Sequence, residues 1–175
     1  LVLVLILAPI LVHKVLCALL FSSTCKIFYD NISFTRVINI ATELGMEPRI
    51  LYMSLLAQMA PRILRMEGHC DAPLLISDSI AAGCTFSNRF AKLALYPIMR
   101  ALTIRFNSLH IKQFVDDLTL RAEGLPTQVF ASLTEAAGEL VRGLRDARHP
   151  ISEDKTIIVA STTSLAKAIQ NGLAK

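Results

Sequence analysis

Two aspartates stand side by side at residues 116 and 117, inside the stretch LHIKQFVDDLTLRA (residues 109–122), and their setting restricts what this chain can fold into. Leu109, Ile111 and Gln113 alternate with polar neighbours before the pair, and Leu118 and Leu120 do so after it. Alternation on both sides of a short polar break predicts two strands joined by a tight turn, with both carboxylates at the hairpin tip. Adjacent carboxylates repel one another, and a hard divalent cation is their natural partner. The plain alternative is an ordinary acidic surface turn.

The rest of the chain predicts one α+β domain with a small appendage. Its 175 residues suffice for one sizeable core. With 53% hydrophobic and 18% charged residues it is too apolar to be disordered. A net charge of +4 is compatible with a polyanionic partner without requiring one. Cys17, Cys25, Cys70 and Cys84, spaced by 8, 45 and 14, form no CxxC pair and read as buried intracellular thiols. Leu1 to Val12 is wholly apolar, and Val15 to Phe21 is apolar again after His13 and Lys14. Residues 1–22 are long enough to enter a membrane, although Lys14 inside the span would cost about 2.5–3.5 kcal/mol. The competing expectation is a buried helix followed by a core strand over Val15–Ser22.

Ser33 offers an N-cap to an amphipathic helix over 34–44 that Gly45 stops, and Pro48 opens a second helix that ends before Pro61. A short hairpin is expected around Glu67-Gly68, its arms at 62–66 and 73–77. A third helix is expected from about Phe86 to Leu102, kinked or divided at Pro97. A long helix follows from Pro126 to Leu144, then a strand at Thr156–Ala160 and a last helix at Leu165–Leu173. The order β, α, α, hairpin, α, ββ, α, β, α predicts a mainly antiparallel sheet backed by helices.

Four segments in this order resemble the motifs of reverse transcriptases, the RNA-directed DNA polymerases. KIFYDNI (26–32) resembles motif A, GCTFSNRFAKLA (83–94) motif B, FVDDL (114–118) motif C and ISEDKTIIVAS (151–161) motif D. The resemblance spans about Val15 to Ala160. It implies a polymerase palm-like antiparallel sheet backed by helices, with fingers and thumb largely missing, and a non-long-terminal-repeat type of retroelement as the source. It divides the chain into an apolar segment 1–14, a palm-like domain 15–162 and the start of a following region at 163–175.

By resemblance, the activity is RNA-templated DNA synthesis, with an RNA template, a DNA primer and dNTPs as partners. Such transfer uses two Mg²⁺ ions about 4 Å apart, one activating the primer hydroxyl and one steadying the leaving pyrophosphate. The resemblance makes Asp116 and Asp117 the metal ligands and catalytic residues. It sets Tyr29 under the incoming sugar, Gly83 at the nucleotide pocket and Lys155 facing the triphosphate. The plain alternatives are core packing beside Phe28 for Tyr29, a loop glycine for Gly83 and a solvated surface lysine for Lys155.

The pattern departs from the family at one decisive place. The first motif A carboxylate belongs six residues before Asp30, and that residue is Thr24. A neutral hydroxyl is a poor magnesium ligand, so the expectation is a weak or inactive copy. Ala82 and Asn88 are softer departures, where Gln and Pro are common. The rival expectations are a non-catalytic membrane-associated protein and a palm that only binds nucleic acid or a partner protein.

Overall fold

The computed structural model describes residues 3–6, 17–25 and 27–173. It divides into two compact units, one from Ile27 to Leu95 and one formed by the chain before Ile27 and from Tyr96 onward.

In chain order the elements are β1 (Leu3–Ile6), β2 (Cys17–Thr24), α1 (Phe34–Glu43), α2 (Pro48–Met59), β3 (Arg65–Met66), β4 (His69–Cys70), α3 (Ser87–Arg105), β5 (His110–Phe114), β6 (Asp117–Gly124), α4 (Pro126–Asp146), β7 (Ile157–Ala160) and α5 (Thr163–Leu173). Short 3₁₀ turns at Tyr29–Asn31 and Glu153–Lys155 precede α1 and β7. The outer unit in sequence holds a five-stranded sheet in the order β1-β7-β2-β6-β5. Only β1 and β7 run parallel; the other three pairings are antiparallel. β2 is central, and its register sets Phe21 opposite Leu120 and Thr24 opposite Asp117.

Strand β6 follows the period of two that its sequence dictates. Leu118, Leu120 and Ala122 are buried, while Asp117, Arg121 and Glu123 are exposed. The buried row meets α4, whose Leu133, Ala137, Leu140 and Leu144 recur at three-to-four spacing and are fully buried. α5 packs on α4 and β7 through Ala166 and Ile169. Each fully buried leucine in this layer contributes roughly 1.5–3 kcal/mol of transfer free energy. The expected α+β architecture, an antiparallel sheet backed by helices, is what the chain adopts.

In the unit from Ile27 to Leu95, α1 packs against α2, and Val37, Ile40, Ala41, Leu51 and Leu55 are buried. Pro48 opens α2 as expected, and the Glu47 carboxylate caps it by accepting the Ile50 N–H at 2.8 Å. Glu67 (φ 49°) and Gly68 (φ 85°) form the hairpin turn between β3 and β4, the left-handed pair a two-residue hairpin requires.

Four expectations need correction. Ser33 occupies the N-cap position of α1 but makes no side-chain cap; in the same first turn the Phe34 N–H donates to Asp78 Oδ1 at 3.3 Å. The second arm of the hairpin is His69–Cys70, with only an isolated bridge at Leu74 to Arg62. Pro97 lies inside α3 without dividing it. It is exposed there, so water can replace the bond its ring removes. At the N-terminus Leu3–Ile6 is a strand, because β7 gives its backbone a parallel partner, and not the start of a buried helix. No helix among the described residues is long and apolar enough to cross a membrane. Residues 7–16, including Lys14, lie outside the described residues.

Candidate functional site

The β5–β6 hairpin closes through two residues, Val115 and Asp116, because Phe114 pairs with Asp117. Val115 takes φ +57°, a region that a β-branched side chain rarely enters and that costs roughly 1–3 kcal/mol. The turn demands it, since a two-residue hairpin needs a left-handed first position to match the twist of its strands. Gln113 helps hold the turn by donating its side-chain amide to the Val115 carbonyl at 2.9 Å. Asp116 is thereby left half-buried at the tip and Asp117 exposed at the head of β6.

The end of β2 lies directly against this tip. The Thr24 hydroxyl donates to Asp117 Oδ1 at 2.5 Å. The next residue, Cys25, donates its backbone N–H to the Asp116 carbonyl at 3.4 Å. Cys25 is only 5% exposed, and its thiol is pushed up to about 12 by burial first and then by the Asp116 and Asp117 charges. The thiol is therefore a protonated, inert group near the dyad; its burial is expected from the sequence, but no motif marks its place beside the aspartates.

The segment bearing Lys155 joins the same strand end. Ser152 donates its N–H to the Thr24 carbonyl at 2.8 Å, Ile151 bridges to Cys25, and the Lys155 N–H donates to the Ser152 carbonyl at 3.1 Å. Lys155 closes the 3₁₀ turn before β7 with an exposed side chain. Thus Thr24, Cys25, Asp116, Asp117 and the Lys155 turn are tied together by backbone bonds, although 131 residues separate Thr24 from Lys155.

Tyr29 and Gly83 belong to the other unit, where they are linked to each other's segments. The Tyr29 hydroxyl donates to Asn88 Oδ1 at 3.2 Å, and its ring meets Phe28 edge-on with centroids 5.7 Å apart. Its carbonyl accepts the Ile80 N–H at 2.9 Å, and the Ser79 hydroxyl donates to Asp30 Oδ1 at 3.1 Å. Gly83 takes φ +85°, with nothing within 4 Å of the place a Cβ would occupy. Backbone conformation, rather than close approach of a neighbour, is what requires glycine there. Asn88, noted in the sequence only as a departure, is the partner that fixes the tyrosine hydroxyl.

A pair of magnesium ions needs several anionic oxygens, one of them bridging. The dyad supplies two carboxylates, and Thr24 adds a neutral hydroxyl already bonded to one of them. Among the described residues no three His, Cys, Asp or Glu side chains gather as a metal-binding group. The described side chains do not fit a two-ion clamp.

No protein-family model matches the sequence, and no curated protein matches it. Solved structures do: 28 chains match, among them apo telomerase from Candida tropicalis truncated from its C-terminal domain. That match has a TM-score of 0.60 at 14% identity and covers 82% of this chain. This chain spans 31% of the telomerase chain. The likeness is one of fold, and it extends over most of this chain.

Proposed function

We propose that this chain is a reverse-transcriptase-type palm, of non-long-terminal-repeat retroelement descent, that engages primed RNA but performs nucleotidyl transfer weakly or not at all. The observation carrying this reading is the Thr24 hydroxyl bonded to Asp117 at 2.5 Å where a carboxylate would be needed. In an intact member, two Mg²⁺ ions would activate the primer hydroxyl and neutralise the departing pyrophosphate. Here Asp116 and Asp117 are the ligands that remain, and among the described residues no third acid joins them to balance a second ion. By resemblance, Tyr29, held by Asn88, and Gly83 are the candidates in one unit for contact with a nucleotide, and Lys155 is the candidate in the other for contact with a phosphate.

Loss of one bridging carboxylate leaves binding intact while removing the charge that stabilises the transition state, so affinity and turnover should separate. The test is primer extension on an RNA template with Mg²⁺ or Mn²⁺, alongside binding of the same primed RNA. The expected result is binding without extension by the chain, and extension gained by Thr24→Asp. Extension by the unmodified chain that disappears in Asp116→Asn would overturn the proposal.

A further inference from the structure

Helix α2 carries large apolar side chains on both its buried and its exposed side. Leu51, Ser54, Leu55 and Gln58 are buried, yet Tyr52, Met53, Leu56 and Met59 recur along the opposite side at three-to-four spacing and are 44–66% exposed. Ile63 and Leu64, just beyond the helix, are about equally exposed. α1 turns mostly polar residues outward, Thr35, Asn39, Thr42 and Glu43, with Ile38 among them. A helix whose outward side is a continuous apolar stripe ordinarily has that side covered.

We propose that this second face of α2 is an interface between two copies of this chain, packed antiparallel about a two-fold axis at Leu56. At roughly 200 Å² for a large side chain, the six exposed residues offer about 700 Å². A stable interface buries roughly 600–1,000 Å² on each partner. The stripe is self-complementary in that register, since Met53 meets Met59, Tyr52 meets the small Ala60, and Leu56 meets its own counterpart. Antiparallel pairing also opposes the two helix dipoles. The unit from Ile27 to Leu95 carries six basic and six acidic side chains, so no net charge resists pairing.

This inference does not depend on the proposed polymerase ancestry. It is tested by light scattering coupled to size exclusion, and by sedimentation equilibrium, with the full chain between about 1 and 100 µM. The expected mass is twice 19.2 kDa. Leu56→Glu and Met53→Glu each return it to 19.2 kDa with unchanged circular dichroism, weakening the dimer at least about 100-fold. Should a charge at these positions impair folding, Leu56→Cys combined with Cys70→Ser provides the second arm, and mild oxidation then links the chains through residue 56. A monomer at 100 µM would overturn the proposal and leave the face to another protein. A dimer, or a larger assembly, indifferent to both glutamate variants would overturn it equally.

Discussion

If Cys25 lies under the aspartate dyad as described, its thiol should be almost silent toward alkylating reagents. A thiol at the ordinary value of 9.0 is half ionised at pH 9, whereas one raised to about 12 is ionised to about 0.1%, a deficit of about 500-fold. The more basic thiolate is intrinsically the better nucleophile and recovers about 20-fold, leaving a deficit of about 25-fold before its burial limits access further. The assay is timed iodoacetamide labelling at pH 9, followed by digestion and mass spectrometry, with the exposed Cys70 as internal reference. Asp116→Asn should speed Cys25 labelling, but by less than the whole deficit, because burial is the larger cause and persists. The same proton links folding to pH. The native thiol holds it more tightly than the unfolded one, so its stabilisation is complete below pH 9 and is lost progressively as pH rises through about 12. By pH 10 the loss is about 1.4 kcal/mol, and Cys25→Ser should lack that increment. Labelling of Cys25 as fast as Cys70 in the folded chain would refute the reasoning.

Two further perturbations probe the scaffold. Leu120→Ala, at a fully buried position of β6 facing α4, should cost about 2–5 kcal/mol and lower the melting temperature by roughly 5–15 °C, read by thermal unfolding. Gly83→Ala should cost about 1–2 kcal/mol from its φ of +85° alone, and Gly83→Asn less because asparagine tolerates that region; equal denaturation midpoints for all three would remove the backbone argument.

Much of this molecule is legible in its sequence where local rules decide. Pro48 and Pro126 mark helix starts because a residue without an N–H belongs there, and both α2 and α4 begin on them. The alternation around Asp116 and Asp117 announces the hairpin because one face of β6 must be buried. Illegible features depend on distant partners. Leu3–Ile6 becomes a strand only because β7, some 150 residues later, pairs with it, and an apolar run by itself fits helix or strand. Ser33 makes no side-chain cap, and Asp78 reaches the Phe34 N–H of that first turn from a distant loop. At the candidate site, the sequence marks the dyad and the neutral Thr24. The bond between Thr24 and Asp117, the thiol beside them and the Tyr29–Asn88 contact emerge only once the strands are in register.

The most direct test of the account is calorimetric titration of Mn²⁺ into the chain and into Thr24→Asp, with Asp116→Asn as control. The account predicts weak binding by the chain, binding at least about tenfold tighter in Thr24→Asp, and loss of binding in Asp116→Asn. Two Mn²⁺ ions held by the unmodified chain as tightly as by Thr24→Asp would contradict it.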